Sequence, residues 1–238
     1  MKKEFVKYKD LKNINNIDNN FQKEKMVALP HIGNKVIGKY LTSLNELDLS
    51  DKIMIRKSVK DKLNLADTKL KEINSNYQLI VSYGYRALSK QKKYFKQELE
   101  KVKDEFINKD ELYEYVHEKI AVPEVAGHPT GGAVDIIIYD RKNKQELDFG
   151  SKLHDFSSDI CYTFNKNISM EAKNNRMLLR KIMLSVGFAP YDGEWWHFSY
   201  GDKEWAFYYK KEKYLYDVKD EKEVYKNEVW SFKKISII

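Results

Sequence analysis

A single cysteine, Cys161, stands in 238 residues, which excludes an internal disulfide and any cysteine-based zinc finger. Four prolines and ten glycines leave no room for a Pro/Gly-rich linker. Arginine is scarce: Arg56, Arg86, Arg141, Arg176 and Arg180 are five of 43 basic residues, and the rest are lysines interspersed with 36 acids. A nucleic-acid surface favours arginine and segregated charge, so the net charge of +7 reads as compositional drift, with no nucleic-acid partner. No apolar run approaches the length that spans a bilayer, and residues 5–20 are too polar for a signal-peptide core, so no membrane partner is expected. With 42% apolar and 33% charged residues, a cytoplasmic globular protein of one large or two small domains is expected.

Periodicity organises most of what remains. Val59, Leu63, Ala66, Leu70 and Ile73 recur at helical spacing, and Tyr94, Phe95, Leu99, Val102 and Phe106 mark a second helix. A short third helix is expected over 110–120. Leu178, Leu179, Ile182, Met183 and Val186 stripe another, with Ser169 as its N-cap and Gly187 as its stop. Residues 77–83 are rich in β-formers and end at Gly84; 133–139 read as an apolar strand, 146–149 as its return partner, and 196–200 as a further strand. Helices and strands mix without strict alternation, and the pair at 133–149 is antiparallel, so the expected class is α+β. Eight of the ten glycines lie between Gly84 and Gly201, where backbone turns sharply or approaches something closely.

Within that stretch His128 precedes Gly131 and Gly132, and Asp135 sits inside the strand 133–139. An ionised carboxylate among apolar strand residues costs several kcal/mol unless paired or bound to a cation. One reading makes His128 and Asp135 metal ligands; the other is a capped turn with a surface histidine and a hydrogen-bonded aspartate. A second signal is Gly193-Glu194-Trp195-Trp196-His197. The two tryptophans fit a core wall. Glu194 and His197 have opposite strand parity, so both reach one site only if Glu194 lies in the loop after Gly193. Two imidazoles, a ligating carboxylate and a further carboxylate match an open catalytic zinc site with a general base. Arg86, in Gly84-Tyr85-Arg86, follows a strand end from which a cation reaches a developing oxyanion; a surface ion pair is its plainer reading.

These motifs together resemble the zinc D-alanyl-D-alanine dipeptidases of vancomycin-resistance type, within the D-Ala-D-Ala metallopeptidases that share the hedgehog fold. His128, Gly131, Ala133 and Asp135, then Glu194 and His197, match the group's pattern, and Gly84-Tyr85-Arg86 and Asn19-Asn20-Phe21 match further elements. The resemblance covers roughly 5–215. It implies a central antiparallel sheet flanked by helices, one zinc ion held by His128, Asp135 and His197, Glu194 as base, Arg86 as transition-state stabiliser, and a small dipeptide substrate. Residues 1–217 are then one zinc peptidase domain and 218–238 a C-terminal extension.

Two positions depart from the family pattern. Ala126 replaces a serine near the substrate. Where the family carries an aspartate facing the substrate ammonium, this chain has His154, with Asp155 one residue later; either Asp155 takes the role through a shift, or the pocket differs. Alternatives to a dipeptidase are a D,D- or L,D-carboxypeptidase or endopeptidase of peptidoglycan stems, and a non-catalytic zinc-stabilised binding module of hedgehog fold. His31 and His117 are expected in surface or capping roles, and Cys161 as a buried free thiol.

Overall fold

The computed structural model describes residues 5–16, 20–29, 37–38 and 52–225. In chain order the elements are α1 (Tyr8–Leu11), β1 (Asn15–Asn16), β2 (Met26–Ala28), β3 (Ile37–Gly38), β4 (Met54–Arg56), α2 (Lys57–Ile73), β5 (Tyr77–Tyr83), α3 (Leu88–Val102) and α4 (Lys109–His117). They continue with β6 (Ala133–Asp140), β7 (Gln145–Glu146), α5 (Met170–Leu184), β8 (Ala189–Pro190), β9 (His197–Ser199), α6 (Lys203–Tyr208) and β10 (Lys213–Tyr214). His31, Asn19 and residues 226–238 of the expected extension lie outside the described residues.

The fold is α+β. The main sheet runs β3-β5-β6-β9-β8, with β7 paired to β6. Its pairings are antiparallel except β3 against β5, which is parallel, so the sheet is antiparallel at its centre and mixed at one edge. β5 and β6 are buried along almost their whole length. That explains their near-continuous apolar runs: both faces are covered. The return strand is shorter than expected: beyond Leu147, whose N donates to Ile138 O at 3.0 Å, the chain leaves the ladder and turns toward Gly150.

The helices follow their periodicity. Val59, Leu63, Ala66 and Leu70 of α2 are buried against β5, and α5 packs on α2 and β8 through Leu179, Ile182 and Met183. Ser169 caps α5 by accepting from Ala172 N at 3.0 Å, and Gly187 follows it at φ +88°. α3 starts earlier than its apolar stripe and stops at Val102, where a short 3₁₀ turn takes over. A second apolar cluster joins α1, α3 and α4 through Leu11, Phe95, Leu112 and Val116.

Arg56 ties distant segments together. It is fully buried and donates to Thr130 O (2.8 Å), Gln22 O (3.2 Å), Glu24 O (3.2 Å) and Asp217 O (3.0 Å), with its guanidinium over the Tyr216 ring. Residues 218–225 also lie on the domain: Lys219 N donates to Pro129 O, Tyr85 OH to Lys219 O, and Val224 is buried with Met54, Tyr85 and Ala87. Among the described residues no helix is long and apolar enough to cross a membrane.

Candidate metal centre

Sheet register assembles the site. In the β6–β9 ladder Asp135 stands opposite His197, and in the β5–β6 ladder it stands opposite Tyr83. His128 arrives from the loop before β6, where His128, Pro129 and Thr130 form one 3₁₀ turn. Gly131 ends that turn at φ +73°, a left-handed conformation open to glycine. Gly127 has a different reason: a Cβ there would run into Oδ2 of the buried Asp202.

The donor atoms are sorted by their hydrogen bonds. His128 Nδ1 donates to Gly84 O at 2.7 Å, which leaves the Nε2 lone pair 3.4 Å from Asp135 Oδ1. His197 Nδ1 lies 3.0 Å from the same Oδ1, and its Nε2 faces Glu204 Oε2 at 3.6 Å. One donor atom each from His128, Asp135 and His197 falls within 4.8 Å of the others, and all three residues are buried. Donors around tetrahedral zinc at about 2.1 Å stand roughly 3.4 Å apart, so this set of two nitrogens and one oxygen fits zinc in chemistry and spacing.

Burial and neighbouring charges pull these three groups in opposite directions. Burial pushes His128 down to about 4. Burial opposes the charge on Asp135 as well, but His128, His154 and His197 outweigh it and hold the carboxyl well below its ordinary range. Burial likewise opposes the charge on His197, and Asp135 and Glu204 reverse the outcome, raising it well above the ordinary histidine value.

Around these three lies a cavity of about 200 Å³, lined among others by Arg86, Ala126, His154, Glu194 and Glu204. Glu194 sits in the turn before β9, with His197 N donating to Glu194 O at 3.1 Å, which is how residues of opposite strand parity reach one cavity. Burial pushes the Glu194 carboxyl up to about 7; His197 opposes that rise and Asp135 adds to it. Arg86 donates through Nε to Tyr83 OH (3.2 Å) and through Nη1 to Gln91 Oε1 (2.9 Å), with its guanidinium over the rings of Tyr83 and Tyr94. Burial opposes its charge, but Tyr83, Asp135 and Glu194 keep it raised. Trp195 and Trp196 are buried core wall.

The structure thus gathers His128, Asp135, His197, Glu194, Arg86, Ala126 and His154 at one cavity. It does not bring Asp155 there: its Oδ1 accepts from Ser157 N (3.1 Å) and Ser157 Oγ (2.6 Å), and the side chain is no part of the cavity wall. The shift that would have carried Asp155 inward does not occur. His154, at φ +58°, directs its ring to Asp135 and the cavity, while the next side chain turns to Ser157. Of the surface or capping roles expected for His117, the surface one is corrected, while its place at the last position of α4 with a bond from the following loop is of the capping kind. His117 is buried, its Nδ1 accepts from Val122 N at 3.2 Å, and it lines the cavity. Cys161 is buried. Glu204 was missed; its only local signal is its place one residue inside α6, whose N-cap Asp202 accepts from Trp205 N.

A family model described as D-ala-D-ala dipeptidase matches residues 33–218. The chain belongs to the D-Ala-D-Ala dipeptidase family of peptidases. The D-alanyl-D-alanine dipeptidase of Synechocystis sp. is 34% identical over 110 residues, 40% of this chain and 44% of that protein. That of Enterococcus faecalis is 33% identical over 82 residues, 34% of this chain and 40% of its own. The matched segment therefore spans less than half the length of either relative. Among solved structures, the LD-carboxypeptidase LdcB matches with a TM-score of 0.42 and 23% identity, over 84% of this chain and 89% of that one.

Proposed function

We propose that this member of the family is a zinc metallopeptidase, holding one zinc ion per chain, that hydrolyses D-Ala-D-Ala or a related D-amino-acid dipeptide. The observation that carries the reading is convergence: two imidazoles, a ligating carboxylate, a second carboxyl that titrates near neutrality and a guanidinium line one small cavity. His128, Asp135 and His197 would hold the metal, and zinc supplies a Lewis acid for the scissile carbonyl when bound. Glu194 takes a proton from the attacking water and delivers it to the leaving amine. Arg86, fixed by Tyr83 and Gln91, faces the charge that develops on the carbonyl oxygen. The family match supports the reaction class.

A second reading, cleavage of the D,D or L,D end of a longer peptidoglycan stem, is favoured by one observation. A free α-ammonium in a desolvated wall calls for a carboxylate; the position expected to supply it does not, since Asp155 lies outside the cavity and His154 lines it, which leaves Glu118 and Glu204 as the wall's carboxylates besides Asp135 and Glu194. The deciding experiment is hydrolysis of D,D-, L,D- and L,L-dipeptides and N-acetyl-D-Ala-D-Ala, with and without zinc. Zinc-dependent cleavage of D-Ala-D-Ala over its acetylated form supports the dipeptidase. Equal cleavage of both moves the assignment to the carboxypeptidase. Cleavage of none of these, nor of a peptidoglycan stem pentapeptide, by zinc-loaded protein overturns the peptidase reading in favour of a zinc-stabilised binding module.

A further inference from the structure

His154 is held in an unusual way. The loop that carries it is anchored at both ends by the buried Arg176, which donates to Phe149 O (2.7 Å) and Ser151 Oγ (3.4 Å) on one side. On the other it donates to Ile160 O (2.9 Å) and Tyr162 O (2.6 Å). Trp195 Nε1 adds a bond to Ser151 Oγ at 2.9 Å. Between these anchors His154 adopts φ +58°, a left-handed backbone that side chains seldom take. Its ring stands edge-to-face with Trp196 and Tyr83. Nδ1 is buried without a hydrogen-bond partner among the described residues, and Nε2 lies 2.9 Å from Asp135 Oδ2. Strained backbone and an orphaned ring nitrogen both cost stability, so the packing around the loop enforces the one bond the ring makes.

That bond falls on the oxygen that the other histidines leave alone. His128 and His197 both face Asp135 Oδ1, whereas His154 faces Oδ2. The tight group of donor atoms comprises His128, Asp135 and His197 and does not take in His154. We propose that His154 is a positioning residue: its Nε2–H donates to Asp135 Oδ2, so that Asp135 presents Oδ1 alone to the cation. An ionised carboxylate is acceptor-only, so the shared proton belongs to the imidazole. A carboxylate free at both oxygens can swing or chelate through both, which moves its vertex; a donor on one oxygen removes that freedom. The inference rests on the zinc reading of His128, Asp135 and His197, but not on any peptide being cleaved.

The test is zinc affinity by chelator competition on the whole chain without substrate, together with the visible spectrum of the cobalt(II) form. His154→Ala is expected to weaken zinc by about ten- to a hundredfold, the scale of lost outer-shell partners. His154→Gln, whose amide N–H can reach Oδ2, is expected to restore most of the affinity with a wild-type cobalt spectrum. Melting of the metal-free proteins controls for folding. If the Ala variant does not fold, His154→Asn replaces it, since Asn tolerates the left-handed backbone and is too short to reach Oδ2. Wild-type affinity in the Ala or Asn variant overturns the proposal. So does a Gln variant as weak as Ala with an altered cobalt spectrum, which makes His154 a ligand. A wild-type chain that binds no zinc overturns the zinc reading and this proposal together, whereas zinc binding without hydrolysis overturns only the peptidase reading.

Discussion

Replacing Glu194 by Gln in metal-free protein removes one titrating carboxyl from the cavity. Burial raises the Glu194 carboxyl from its ordinary 4.5 to about 7, against the opposing charge of His197. Between these values the fold holds the proton and the unfolded chain has lost it. The unfolded state binds fewer protons there, so this group's contribution to stability falls as pH rises through that window. The interval from 4.5 to about 7, at about 1.4 kcal/mol per pH unit, corresponds to roughly 3 kcal/mol. Gln keeps the shape and the neutral state and cannot ionise. Urea unfolding of chelator-treated protein at pH 4.5 and pH 8 should show wild type losing roughly 3 kcal/mol relative to Glu194→Gln. Taking this difference removes contributions that do not depend on Glu194, such as that of His128, whose depressed value acts in the opposite direction, whereas His154, which Glu194 helps to raise, titrates as part of the same step. Saturating zinc should shrink the gap, because a nearby cation favours the carboxylate. Superimposable pH dependences in the two metal-free proteins would refute the placement of this carboxyl in a desolvating wall.

Five further outcomes rest on the same geometry. Ala at His128, Asp135 or His197 should remove most of the single bound zinc, read by dialysis and metal analysis; stoichiometric zinc in all three variants sinks the ligand assignment. Glu194→Ala should keep zinc and lose at least about a hundredfold in hydrolysis, the scale of a general base, and Arg86→Lys should be strongly impaired because a point charge lacks the guanidinium fork. Asp155→Asn should change kcat/KM for D-Ala-D-Ala far less than His154→Ala does, since Asp155 serves Ser157 outside the cavity; the reverse order would restore the ammonium role to Asp155. Gly127→Ala should lower the melting temperature through a clash worth roughly 1–3 kcal/mol, because the new methyl meets Asp202 and the Cβ of Ala133.

How much of this was legible before folding differs from residue to residue. The burial of α2 and α5 was written in apolar residues three and four apart, and β5 in a run of β-formers that ends at Gly84. These patterns act between near neighbours, so the sequence alone sufficed for them. Motif spacing likewise singled out His128, Asp135, Glu194 and His197 as candidates, and the parity of Glu194 against His197 already required a turn between them.

Long-range pairing decided the rest. Asp135 meets His197 only because β6 and β9 pair in one register across 62 positions, and a slip of one residue would turn the carboxylate to the other face. Glu204 reaches His197, and His117 sinks into the cavity wall, through packing that no local pattern announces. Two adjacent candidates for one role, His154 and Asp155, were separated by the course of a loop pinned by Arg176, which turns one ring to Asp135 and the other side chain to Ser157. Sequence spacing names residue types that can share a chemistry; the backbone's direction at each position, set by distant anchors, determines which of them face it.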